Sequence, residues 1–479
     1  MDLLIILFAL GLLMFAAYRG YSVILFAPIA ALLAVLFVDP VNVLPFYSGV
    51  FMDAMVSFIK NYFPVFLLGA VFGKVIEMSG IAESIAKTIV RLIGTKQAML
   101  TIVLLGSILT YSGVSLFVVV FAIYPFAVQL FKQADIPKRL MPATIALGAF
   151  TFTMDALPGT PQIQNVIPTS YFGTDIYAAP ILGIIGSFFV LFVGLTYLEI
   201  RKRQAKSAGE GYYGFADDMS PALGGEETHN NEDVVPDLSS HQSVFKQVLA
   251  FVPLVLVAFM NNYLTKAIPL WYPNGFDFSS MGLTKYTVDV AANTSIWAVE
   301  IALVVGILTA LAYDWKRVSK NMKEGINNSI GGSLLAVMNT GSEYGFGGII
   351  AALPGFAKIS DGISGIFSNP LINGAFTTST LAGITGSASG GMGIALSAMA
   401  DQYNKTIALA DISPEVMHRV IAMASGGMDT LPHNGAVITL LAVTGLTHRQ
   451  SYGDIFMITI IKSLAVLVVI GIYTWFGIR

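Results

Sequence analysis

Met154-Asp155-Ala156-Leu157-Pro158 lies inside a long apolar run, and Met428-Asp429-Thr430-Leu431-Pro432 restates it 274 residues later inside another. An acid in the membrane costs roughly 2.5–3.5 kcal/mol on insertion scales, so such acids tend to line an ion or substrate path. The adjoining Leu-Pro breaks the helix that carries each one. Two copies at matching places point to two repeats meeting at one central site, the organisation of secondary transporters.

The composition agrees. Of 479 residues, 55% are hydrophobic and 11% charged, against about 25% charged in soluble domains. The mean hydropathy is +0.73, which marks a multi-spanning membrane protein rather than a soluble one with an anchor. A net charge of −3 implies no nucleic-acid partner. The chain has no cysteine, which removes disulfides, thiolate nucleophiles and Cys-based metal or haem sites; no cofactor is expected. The opening run 1–17 lacks a basic n-region and a small-residue cleavage site, and reads as a retained helix rather than a signal peptide.

Apolar stretches fit to cross a core of ~30 Å (about 20 residues) recur from 2–18 through 453–477, several with Gly, Ser, Thr or Pro in mid-run. Such interruptions survive in lipid only where protein or a water-filled cavity satisfies the freed backbone groups. The expected architecture is therefore an all-α polytopic membrane protein with 10 to 12 full crossings plus re-entrant hairpins and broken helices. Arg201, Lys202, Arg203 and Lys206 crowd one span end, Lys316, Arg317, Lys320 and Lys323 follow another, and loop 39–59 has no Lys or Arg. The positive-inside rule makes the basic clusters cytoplasmic, and loops 39–59 and 266–293 and the N-terminus external. The chain divides into an N-terminal helix (1–21), a first repeat (22–198), a Gly- and acid-rich flexible linker (199–244), a linking helix with an external loop (245–293) and a second repeat (294–479).

The repeat extends beyond the aspartates. Gly69-Ala-Val-Phe-Gly73 matches Gly341-Ser-Glu-Tyr-Gly345, and Tyr111-Ser-Gly-Val-Ser115 matches Thr385-Gly-Ser-Ala-Ser389. The charge rule sends the span starting at 22 outward and its counterpart at 294 inward, as inverted-topology repeats require. Shared composition between Gly-rich helices is the alternative source of these matches.

These segments carry a resemblance. Phe72-Gly-Lys-Val-Ile-Glu-Met-Ser-Gly-Ile-Ala-Glu-Ser-Ile-Ala86, Ser112-Gly-Val-Ser-Leu-Phe-Val-Val-Val-Phe121, Leu157-Pro-Gly-Thr-Pro161, Thr380-Leu-Ala-Gly-Ile-Thr-Gly386 and Ala424-Ser-Gly-Gly-Met-Asp-Thr-Leu-Pro-His-Asn434 resemble the gluconate permease family. That family lies within the ion-transporter superfamily of carboxylate carriers. The resemblance covers roughly 22–198 and 294–477 and implies a proton-coupled symporter of the bacterial inner membrane. Its substrate would be a short hydroxy- or keto-acid such as gluconate or 3-hydroxybutyrate. The superfamily implies a homodimer whose mobile portion carries two hairpins and works as an elevator.

The candidate residues follow. Ser112, Gly113 and Ser115 in one Gly/Ser segment, and Thr385, Ser387 and Ser389 in the other, would be hairpin tips offering hydroxyls and helix N-termini to a carboxylate. Close helix packing is the other use of such small residues. Asn339, Thr340 and Asn434 suit substrate or ion contact. Asp155, Asp429, Glu343 and His433 are the coupling candidates, for a proton or a sodium ion; capping of a neighbouring helix N-terminus is the alternative use of each Asp. Lys74 and Glu77 stand one turn apart and read as a structural pair. Two rivals are weak. Intramembrane aspartyl proteases place one Asp after Tyr and the other in Gly-x-Gly-Asp, which Phe152-Thr-Met-Asp155 and Gly426-Gly-Met-Asp429 lack, so no enzyme is expected. An anion channel lacks support from any repeated filter motif.

Overall fold

In the computed structural model, which describes residues 2–19, 21–94, 97–114, 116–215, 244–356, 367–432 and 434–479, both Asp-Leu-Pro segments are the unwound middles of broken helices. The first half runs α1 (Asp2–Tyr18), α2 (Val23–Val38), α3 (Met52–Met78), α4 (Ile81–Ile93), α5 (Ala98–Tyr111), α6 (Leu116–Gln133), α7 (Met141–Ala149), the single turn α8 (Phe152–Asp155), α9 (Ile163–Phe172) and α10 (Pro180–Ser207). The second runs α11 (Val244–Leu249), α12 (Val252–Trp271), α13 (Val290–Tyr313), α14 (Trp315–Ala352), α15 (Pro370–Thr385), α16 (Ala388–Leu409), α17 (Pro414–Gly426), α18 (Gly435–Thr444) and α19 (His448–Phe476).

Apart from α1 and α4 in the first half and α11 and α12 in the second, each half runs through two helices (α2 and α3, α13 and α14), a helical hairpin, a broken helix and a last long helix. The hairpins are α5–α6, turned at Ser112–Val114, and α15–α16, turned at Gly386 and Ser387. The apolar run 369–398 is therefore two antiparallel helices rather than one span. At the second break Leu431 is extended (φ −73°, ψ 154°), as a residue before proline prefers. The helix restarts where Asn434 Oδ1 accepts from the Ala436 N–H at 2.7 Å, an ordinary N-cap.

Long helices of the two halves pack antiparallel. Gly325, near the start of α14, lies against Met78 at the end of α3, while Gly345 lies against Phe51, just ahead of α3. Gly186, near the start of α10, meets Val469 near the end of α19, and Arg201 Nε, near the end of α10, donates to Asp454 Oδ1 near the start of α19 at 2.7 Å.

Five described helical stretches are long and apolar enough to cross a membrane: Pro40–Met78, Pro180–Ser207, Phe245–Trp271, Val290–Tyr313 and His448–Phe476. Phe188 and Phe192 on α10, Val255 and Phe259 on α12, and Leu464 and Leu467 on α19 are exposed, giving these helices apolar outer faces. One element was not foreseen. The 13 residues of α4 bury Ile81, Ile85 and Ile89 along one side, and are too few to span a bilayer.

The linker boundary also differs from the sequence reading. α10 continues to Ser207, and Glu210–Gly211 pairs with Gly214–Phe215 in a small β-hairpin. Arg139 holds that hairpin by donating from Nε and Nη2 to the two Glu210 carboxylate oxygens at 2.7 and 2.8 Å. This bidentate geometry is the strong form of the ion pair. It raises the Arg139 pKa above its ordinary value. Ordered structure thus reaches at least 17 residues past the expected edge at 198; most of the expected linker, 216–243, lies outside the described residues.

Candidate functional site

Each break docks on the hairpin of its own half through an amide side chain. Gln162 Nε2 lies 2.7 Å from Thr110 O and 3.1 Å from Val114 O, at the first tip. Asn434 Nδ2 donates to Gly386 O at 2.8 Å, at the second. The carbonyls at a hairpin turn have lost their helical partners, so a buried amide donor satisfies them. Gln164, two residues beyond Gln162, donates to Asp429 Oδ2 at 3.1 Å, and Asp429 Oδ1 accepts from the Ala388 N–H at 3.1 Å. The segment 162–164 therefore joins the first tip to the second through Asp429.

Ala388 is the first residue of α16, so Asp429 places a carboxylate on the positive end of that helix. The second tip is crowded with hydroxyls. Ser387 Oγ accepts from the Gly390 N–H at 3.1 Å, and Ser389 Oγ stands 3.4 Å from both Ser387 Oγ and Thr340 Oγ1. Glu343 reaches the same turn from α14: it is buried, bonds the Ser387 side chain, and its carboxylate lies over Gly390. Its Oε2 has no hydrogen-bond partner among the described residues, although buried carboxylate oxygens are normally satisfied.

Thr340, Glu343, Thr385, Ser387, Ser389, Asp429 and Asn434 are thus brought together around the second tip. Thr385 spends its hydroxyl on Leu381 O at 3.1 Å. Ser112 does the same with Ile108 O at 2.6 Å, so both are less available to a ligand. Gly113 turns the first tip at φ +90°, a conformation glycine adopts freely. Asn339 is half-buried on α14 beside Thr340. Ser115 and His433 lie outside the described residues.

Asp155 has a different setting. Lys462 Nζ, from the middle of α19, is 2.8 Å from Asp155 Oδ2, with both side chains 2% exposed. Arg419 is also fully buried. It donates to Asp155 O and Asn165 Oδ1 at 2.8 and 2.9 Å and to Ala178 O at 2.8 Å. His418 sits between Thr174 Oγ1 at 2.7 Å and Asn165 Oδ1 at 3.2 Å. Breaking a buried pair by removing one partner costs about 3–5 kcal/mol, and Asp155 already has a cationic partner, unlike Glu343, whose Oε2 is open. Neither Lys462 nor Arg419 was singled out in the sequence. Lys462 carried a usable signal, being a lone cation in the apolar run 453–477.

A cleft of about 1060 Å³ is lined by Thr174, Thr265, Tyr272, Asp289, Ser295 and Glu415, among others. It opens between the end of α12 and the starts of α13 and α17, and Thr174 connects its wall to His418.

The family model described as GntP family permease matches residues 1–474. The chain belongs to the GntP permease family. The permease is 66% identical over 479 residues, all of both chains, to the "Uncharacterized transporter YxjC" of Bacillus subtilis (strain 168). Its fold is similar to the crystal structure of the YdaH transporter of Alcanivorax borkumensis, described as having an unusual topology. The TM-score is 0.50 at 16% identity, over 89% of this chain and 88% of that one. The permease is accordingly a multi-pass transmembrane transporter, and the family is the one the sequence resembled.

Proposed function

We propose that the permease imports a small organic monocarboxylate, of the gluconate or 3-hydroxybutyrate class, by proton symport across the bacterial inner membrane. The anion sits between the tips Tyr111–Ser115 and Thr385–Gly391, held by hydroxyls, backbone N–H groups and helix ends rather than by an arginine. The carrying observation is the bridge from the first tip through Gln162, Gln164 and Asp429 to the start of α16. It ties both tips to both helix breaks, so that one rearrangement alters them together.

Asp429 and Glu343 carry the coupling step in this reading. Both stand at the second tip, and Glu343 Oε2 is open, so a proton taken there offsets the charge of the bound anion. The two halves are inverted repeats, in support of which α3 packs antiparallel to α14 and α10 to α19. Elevator movement and a homodimer come from the superfamily resemblance. A sodium ion is the second reading, favoured by the two carboxylates and two serine hydroxyls that share this turn.

The substrate placement is tested by a Ser387→Ala, Ser389→Ala double variant, expected to raise the transport KM at least severalfold with normal membrane insertion. Unchanged KM in the double variant would sink the placement.

A further inference from the structure

The surroundings of Lys462 are those of a cation site. Its ammonium touches three oxygens: Asp155 Oδ2 at 2.8 Å, Phe150 O at 3.1 Å, and Gly426 O. Phe150 is the C-cap of α7 and Gly426 is the last residue of α17. Both carbonyls therefore belong to helix C-terminal ends, which carry partial negative charge and favour cations. One end comes from each broken helix, in opposite halves of the chain. Carboxylate plus carbonyls freed at helix breaks is the ligand chemistry by which transporters hold a monovalent metal ion. Arg419 and Asp429 are the other charged groups that act on Asp155, and Lys462 acts on Asp429 as well. Gly426 leaves the room: a Cβ there would fall 1.8 Å from Asp155 Oδ2 and 2.9 Å from Lys462 Nζ.

We infer that Asp155, Phe150 O and Gly426 O form a monovalent-cation site that the permease keeps filled with its own Lys462 ammonium. The tethered cation locks the two broken helices to each other and removes this place from ion coupling. The coupling ion must then be taken up elsewhere, and Asp155 is a positioning residue. The inference concerns a different cluster from the substrate site, and its test needs no substrate.

The test is the thermal unfolding midpoint of the purified full-length permease in choline chloride, with potassium, sodium or methylammonium chloride replacing it stepwise. Lys462→Ala empties the site. Its midpoint should fall in choline and rise with the logarithm of the concentration of potassium, sodium or methylammonium, as for a ligand binding the native state. The wild type and the double variant Lys462→Ala, Asp155→Asn should show no such rise. Recovery of Lys462→Ala from membranes only when one of these cations is present would support the inference equally. The inference is overturned if none of the three cations raises the midpoint, if wild type or double variant responds as strongly, or if no cation permits recovery of the single variant.

Discussion

At the scale of single residues, the site sets two carboxylates in opposite conditions. Asp155 is matched by Lys462 in the buried interior, and its main-chain carbonyl is fixed by Arg419. Asp429 accepts from Ala388 N, Asn434 and Gln164 and has no direct contact with a basic side chain among the described residues. Asp429→Asn separates the two uses of this group. Asn keeps an acceptor oxygen for the start of α16 and is itself a good cap, so the hairpin should stay in place. It cannot exchange a proton. Uptake driven by a pH gradient should fall at least tenfold while substrate binding persists; uptake at the wild-type rate would reduce Asp429 to a cap. The two aspartates were legible in the sequence because an acid beside Leu-Pro in an apolar run is costly. Lys462 is as costly and carries the same information. What no local pattern carries is the pairing itself, since Lys462 and Asp155 are 307 residues apart in the chain.

At the scale of elements, the hairpins are held by close backbone approach. In the second, a Cβ on Gly391 would lie 2.0 Å from Ala382 Cα and 2.1 Å from its N, so α15 and α16 meet at their tip without side chains between them. Small residues permit such contacts in membranes, where packing rather than the hydrophobic effect drives helix association. Gly391→Ala should force the arms apart and destabilise the hairpin by about 1–3 kcal/mol, the usual cost of overpacking. The lowered thermal midpoint should be accompanied by lost transport; an unchanged midpoint would mean the arms have slack. Both tips were readable as Gly/Ser clusters at matched spacing. The helix α4 was not, because Glu83, Lys87 and Arg91 lower its hydropathy, although Ile81, Ile85 and Ile89 recur at helical spacing.

At the scale of the whole molecule, the charge rule and the antiparallel packing converge on one arrangement. The positive-inside rule assigns the basic end of α10 and the basic start of α14 to the cytoplasmic side, and the loop between α12 and α13, with the cleft beside it, to the outside. With no cysteine in the chain, single replacements report sidedness without background. Ser280→Cys should react with an impermeant maleimide added to intact cells, while Ser207→Cys and Ser319→Cys should react only after permeabilisation. Labelling of Ser319→Cys from outside would break the orientation on which the inverted repeat rests. The matched Gly/Ser and Asp-Leu-Pro segments were legible in the sequence, and the structure sets the former at hairpin turns and the latter at helix breaks. The extension of α10 to Ser207 and the docked Glu210 hairpin were not, since a Gly- and acid-rich stretch gives no sign that Arg139 and Asp135 will hold it.

The central claim is that this permease moves a small organic anion together with a proton. It is tested most directly by uptake of labelled gluconate, glycerate, lactate and 3-hydroxybutyrate into proteoliposomes with an imposed pH gradient or sodium gradient. The account predicts accumulation of at least one of the four under an inward proton gradient in sodium-free buffer, abolished by a protonophore. Accumulation of none of them under either gradient, or accumulation that needs sodium and ignores the pH gradient, would contradict it.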